Sequence, residues 1–176
     1  LKGEGSRDAD MGTLISAILN NGTAGLMDIN LNQAQKVLSS YSFYYPLKDY
    51  SILAFGGEAK EGQKLEEVET LLLSQMELVK KGEFPDWLLK AVITDLKLRK
   101  TKELESNASR ADMMLNAFVN DLNWKQQVEA IDRMSKITKQ ELVDFAKQNF
   151  SNANYAVIYK LTGVDSTVQK VEKPQI

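Results

Sequence analysis

The sequence predicts an α/β protein of the α+β kind, a two-layer sandwich with a small, antiparallel-rich sheet packed against several helices. Three observations predict it. Val37 to Ala59, VLSSYSFYYPLKDYSILAFGGEA, alternates with a two-residue period around a turn at Pro46 to Asp49. Tyr155, Val157, Tyr159 and Leu161 alternate in the same way near the other end. Between and before these stretches, apolar residues recur with helical spacing. The expected strands are Val37–Tyr45, Ser51–Glu58 and Tyr155–Leu161, all in one sheet. In the first, Val37, Tyr41, Phe43 and Tyr45 share a face; in the second, Ile52 and Ala54 do. Pro46 lacks an N–H and suits the turn better than a ladder interior.

Composition narrows the chemistry. At 176 residues the chain suffices for one compact core. A net charge of −2 argues against a nucleic-acid surface, which needs clustered Lys and Arg. No apolar run is long enough for a membrane span, no signal peptide is visible, and the sequence names no compartment. Leu1 in place of Met suggests an excised or processed fragment. Cysteine and histidine are both absent. Their absence removes disulfides, thiolate nucleophiles, the usual zinc ligands, the imidazole base and the Ser-His-Asp triad. Catalytic and metal-ligating residues are therefore assigned to none, and substrate-contacting residues stay unknown.

Taken in order, Leu1 to Arg7 reads as a glycine-rich loop. Asp8 or Asp10 is placed to cap a helix through Met11, Leu14, Ile15, Ile18 and Leu19, stopped at Asn20-Asn21-Gly22. A shorter helix is expected from Ala24 to about Gln35, turning Leu26, Ile29 or Asn30, and Ala34 inward. Gly22 and Gly25 could belong to a phosphate-cradling loop, but no strand precedes them and no Lys-Ser/Thr follows. After the hairpin, a helix over Leu65 to Lys81 buries Leu65, Val68, Leu72, Met76 and Val79. Glu66, Glu67 and Glu69 open that helix and Lys80 and Lys81 close it, as its dipole favours; a solvated face explains them better than acid–base chemistry. Gly82 ends it, and Pro85 starts a helix carrying Leu89, Val92, Ile93, Leu96 and Leu104. The basic residues Lys90, Lys97, Arg99, Lys100 and Lys102 interleave with acids and read as a solvated face. Ala108, Ala111, Met114, Leu115 and Phe118 define a helix to about Asn120, and Trp124, Val128 and Ile131 another. Ile137-Thr138-Lys139-Gln140-Glu141-Leu142 is a capping box with a hydrophobic staple, opening a helix to about Asn149. Gly163 onward is polar and reads as a linker. Asn21-Gly22-Thr23 and Asn107-Ala108-Ser109 match the glycosylation triplet, a pattern that arises often by chance.

The order of elements resembles the insulinase/pitrilysin family of zinc peptidases, over Asp8 to Leu161. Three stretches carry the resemblance: Ala24 to Tyr45, a helix leading into a tyrosine-bearing strand; Glu61 to Leu104, paired helices after the hairpin; and Ile137–Leu142 followed by Asn154-Tyr155-Ala156-Val157. The resemblance implies one of the homologous α/β domains that close like a clamshell around a peptide. It implies zinc in the catalytic domain of a parent enzyme, held by a His-x-x-Glu-His motif and a distal Glu. This sequence has no such motif, so the resemblance implies a noncatalytic domain, 1–162, truncated at its front, with 163–176 as linker. Its implied partners are other domains of the parent and, through the assembled chamber, a peptide. Some members hold the substrate backbone with an Arg and a Tyr. Tyr155 and Tyr159 lie near a comparable strand without an accompanying Arg, and no such role is assigned. A noncatalytic scaffold or processing-partner subunit of the same family is the alternative, and an unrelated binding module the third reading. With few strands and no Lys or Pro guarding Val37–Tyr44, weak self-association through a sheet edge is expected.

Overall fold

The computed structural model describes residues 1–151 and 154–163. Helix α1 (Arg7–Leu19) leads through a π-helical turn (Asp28–Gln33) into strands β1 (Ser39–Pro46) and β2 (Ser51–Glu58). Helices α2 (Leu65–Lys81), α3 (Asp86–Glu103), α4 (Asn107–Val119), α5 (Trp124–Val128), α6 (Ala130–Met134) and α7 (Lys139–Asn149) follow. This is the expected α+β class, with helices layered on a small antiparallel sheet. No helix among the described residues is long and apolar enough to cross a membrane.

One core unites α1, α2, α3 and α7. Leu14, Ile15, Ile18 and Leu19 of α1 are fully buried and meet Val68, Leu72, Met76 and Val79 of α2, Leu88 and Val92 of α3, and Leu142 and Ala146 of α7. Each of these side chains except that of Ala146 contributes roughly 1.5–3 kcal/mol on leaving water. Helix α2 packs on α7 and β2, while α1 packs on β1 and α3.

Among the described residues the sheet has two strands, not three. β1 and β2 pair antiparallel from Ser39↔Glu58 to Pro46↔Ser51, with Tyr41↔Gly56, Phe43↔Ala54 and Tyr45↔Ile52 between. Pro46 is the last residue of β1 rather than part of the turn, at a position where its missing N–H costs no ladder bond. Tyr155–Leu161 lies outside the sheet. Two contacts account for that. Residues at the start of the chain occupy the outer side of β2 at its beginning: Ser51 N donates to Leu1 O at 3.0 Å, and Lys2 bridges Tyr50. The hydroxyls of Tyr155 and Tyr159 instead hydrogen-bond Glu69 on α2. The expected linker, 163–176, lies outside the described residues except for Gly163.

Four local expectations change for identifiable reasons. Helix α1 is capped by Ser6, whose hydroxyl accepts from Ala9 N, because Asp10 turns inward to Arg133. The segment after Gly25 winds with i→i+5 bonds, Ala34 N to Ile29 O and Lys36 N to Leu31 O. That wider turn buries Met27 and Leu31 and exposes Ile29 and Ala34. The stretch after Trp124 breaks at Glu129 into two short helices, leaving Trp124 and Val128 exposed. Helix α4 turns its apolar stripe outward; Ala117 is its one buried residue. The capping box forms as read: Thr138 Oγ1 accepts from Glu141 N, and Glu141 accepts from Thr138 N at 2.8 Å. The bonds that the Thr138 N–H and the Thr138 hydroxyl donate to Glu141 Oε2 hold that carboxyl below its ordinary value, with help from nearby Arg7.

Candidate functional site

The sheet has a buried face and an open one, and the open one carries the aromatics. Ser40, Ser42 and Tyr44 are the inward side of β1. Ser42 Oγ lies 3.2 Å from Ser16 Oγ on α1, and Tyr44 lies so close over Gly12 that a Cβ there would meet its ring at 2.5 Å. Small residues on both elements let α1 and β1 approach closely, and this contact selects the Ser/Ser/Tyr face for burial.

The opposite face therefore presents Tyr41, Phe43 and Tyr45 to solvent, each about half exposed, with Ile52 beside them on β2. Tyr41 and Phe43 stack with ring centroids 6.1 Å apart and planes 16° apart. Across the ladder the partners are small. The Tyr41 hydroxyl lies 2.6 Å from where a Cβ on Gly56 would stand, so the ring lies along that glycine. The result is an aromatic ridge over a low floor at Ala54 and Gly56, with no charged residue among the six positions. Each ring offers a π-face, and two carry a hydroxyl, which suits shallow contact with an extended polypeptide. Periodicity placed these residues on one face of β1. Missed was which face is open, although Ser40 and Ser42 beside Gly12 and Ser16 are a small-residue signal that could have supplied it.

Nothing on the described surface resembles a catalytic centre. No three of the acidic side chains converge as a metal site among the described residues, and His and Cys are absent from the chain. Zinc does not fit these residues. Among the described residues, one shallow depression lies beside Glu66, Glu67 and Thr70, and a second beside Lys81, Asp86 and Lys139. In the second, Lys139 is already engaged, donating to Phe84 O at 2.6 Å and Asp86 Oδ1 at 2.8 Å and lying over the Phe84 ring. That contact holds the Asp86 carboxyl below its usual range.

Tyr155 and Tyr159 sit on the helical layer, not on the aromatic ridge. The Tyr159 hydroxyl is pushed up to about 12, first by donating to the Glu69 carboxylate, then by partial desolvation and the charges of Glu69 and Glu66. The folded value lies above the ordinary 10, so this bond contributes below pH 10 and is lost as pH rises through 12. Tyrosinate absorbance of the chain minus that of Tyr159→Phe should titrate near 12, and Glu69→Gln should return it toward 10. An unshifted midpoint in the parent chain would mean the bond does not form.

No protein-family model matches the sequence, and no curated protein does. Solved structures share the fold at low identity. A protease from Helicobacter pylori superposes with a TM-score of 0.81 at 18% identity, over 88% of this chain and 37% of its own. The inactive peptidase domain of a protein assigned as a zinc protease, from Bordetella parapertussis, superposes at 0.77 with 15% identity, over 88% of this chain and 84% of its own. A chain of Complex III2 from Candida albicans superposes at 0.70 with 12% identity, over 84% of this chain and 37% of its own. The chain thus has a zinc-protease-like fold and spans about a third of the Helicobacter protein's length.

Proposed function

We propose that this chain is a noncatalytic domain of a zinc metallopeptidase of the insulinase/pitrilysin family, forming part of the wall of a peptide chamber whose chemistry another domain performs. The observation that carries the reading is an open aromatic sheet face on a zinc-protease-like fold built without one histidine or cysteine. The wall orients and desolvates; it supplies no nucleophile, base or metal ligand. The likeness to an inactive peptidase domain supports this division of labour. The likeness to a chain of Complex III2 supports the second reading, a scaffold subunit of the same family.

The test is metal content and hydrolysis. After dialysis against zinc, the chain should retain far less than one equivalent, because carboxylates alone hold hard cations weakly. It should leave unfolded peptide substrates intact. Stoichiometric zinc, or chelator-sensitive cleavage lost on mutating a carboxylate of this chain, would overturn the assignment.

A further inference from the structure

Helix α4 is attached to the body by little besides one carboxylate. None of its residues belongs to the core that joins α1, α2, α3 and α7. Its inward line is Ser109, Met113 and Ala117, and of these only Ala117 is buried. Met113 Sδ accepts from Lys100 Nζ on α3, and a thioether is a weak acceptor. The stronger attachment is Glu4, ahead of α1. Its Oε2 accepts from Asn120 Nδ2 at 3.0 Å and its Oε1 from Asn116 Nδ2 at 3.4 Å. Burial holds the Glu4 carboxyl above its ordinary 4.5, so water is partly kept from this contact. Both ends of the helix are jointed. Leu104, Glu105 and Ser106 turn the chain out of α3, and Asp121, just past α4, takes a φ of 54°, which residues other than glycine seldom adopt.

We propose that α4 is a latched segment: Glu4 holds it folded on the body, and releasing Glu4 melts α4 between its two joints while the core stays intact. The helix has 13 residues, a length that is marginal in water unless its surroundings hold it. Its order therefore depends on docking. Undocking uncovers one buried side chain, a methyl group, so opening costs little apolar burial beyond the latch itself. An element poised between order and disorder in this way is one that a small change at its contact can switch. The latch also reaches the sheet. Glu4 N donates to Leu47 O, and Leu1 and Lys2 of the same short segment pair with Ser51 and Tyr50. One segment thus ties α4 to the start of β2, next to Ile52 of the open face. The argument uses no residue of the aromatic ridge, so it is independent of the chamber reading.

Native-state hydrogen exchange of the 176-residue chain, read residue by residue, tests it. Amides 111–119 should exchange at least about 100-fold faster than amides 72–79 of α2, and their rates should rise less with urea, because little surface opens. Glu4→Ala should speed exchange in α4 by about tenfold or more, as loss of a hydrogen bond to a charged group does. Asn120→Ala should do the same from the other side of the latch, and the double variant should add less than the two effects combined. Met76→Ala, in the core, should speed exchange in α2 and leave α4 unchanged, which a helix that opens only with the whole fold would not allow. Unchanged circular dichroism outside the loss of one short helix shows that the Glu4 and Asn120 variants are folded. Equal protection in α4 and α2, or α4 rates unmoved in both Glu4→Ala and Asn120→Ala, overturns the proposal.

Discussion

Replacing Arg133 with alanine is expected to cost about 2–4 kcal/mol of folding stability, the larger of the two charge effects this fold predicts. Arg133 straddles Asp10, with Nε to Oδ2 at 3.1 Å and Nη2 to Oδ1 at 3.3 Å, and also donates to Gln126 O. One side chain therefore ties α6 to α1 and to α5. The Asp10 side chain is only 10% exposed, so removing Arg133 strands a carboxylate away from water. The exposed Arg99–Asp95 pair on α3 makes the contrast, since solvent and salt screen it to under about 1 kcal/mol. The pH dependence gives a second check. Burial raises the Asp10 carboxyl above its ordinary 3.8, while the hydrogen bond and charge of Arg133 pull against that rise. Without Arg133 it rises further, so the deficit is full at neutral pH and shrinks in acid as Asp10 protonates. Urea midpoints at about pH 7 and in acid measure this; a deficit equal at both would mean lost packing rather than a stranded charge.

Asp28→Ala is expected to cost about 3 kcal/mol. The buried Asp28 carboxylate accepts from Asn20 Nδ2 at 2.5 Å, Asn21 N at 2.9 Å and Gly25 N at 2.9 Å. It gathers the loop between α1 and the π-helical turn. Alanine leaves buried backbone donors unpaired, at about 1–3 kcal/mol each. Gly25 belongs to the same device. A Cβ there would meet Leu19 O at 2.7 Å and Asp28 Oδ2 at 2.8 Å, so Gly25→Ala should destabilise as well. This loop is the one where the sequence alone raised phosphate binding; its Asn21, Thr23, Ala24 and Gly25 N–H donors are consumed internally. Chemical denaturation of Asp28→Ala and Asp28→Asn decides the point, with Asn intermediate because it keeps one acceptor oxygen. A loss under about 0.5 kcal/mol for alanine would show that water replaces the carboxylate.

What the sequence disclosed follows the reach of each interaction. The Thr138–Glu141 box, the Gly82 stop after α2 and the stripe of α1 depend on neighbours within one turn, and all were legible. The face of β1 was not, because a two-residue period separates two faces without saying which meets a helix. Gly12 and Ser16, far away in the chain, decide that. Helix α4 failed for the opposite reason: its stripe is a sound helix signal, but burial needs a partner surface, and the body meets its Asn116–Ala117–Asn120 side. Tyr155–Leu161 has strand composition, yet Glu69 holds its tyrosines and Leu1 to Lys2 stand at the start of β2. The π-helical turn defeated a 3.6-residue template: that template turns Ile29 and Ala34 inward, and the wider winding exposes both while Leu31 is buried. Within β1 the aromatics alone did not mark the ridge as a surface, because half-buried strands and open ones use the same residues.

The most direct measurement of the chamber-wall reading is a titration of isotopically labelled chain with an extended, mixed-sequence peptide, followed by nuclear magnetic resonance. Weak, saturable binding is expected, with a Kd on the order of 1 mM for an isolated wall. The largest shifts should fall on Tyr41, Phe43, Tyr45, Ile52 and Ala54, and Phe43→Ser should reduce them without changing stability by more than about 0.5 kcal/mol. Perturbations confined to the helical layer, or none on the sheet face at peptide concentrations well above 1 mM, would contradict it.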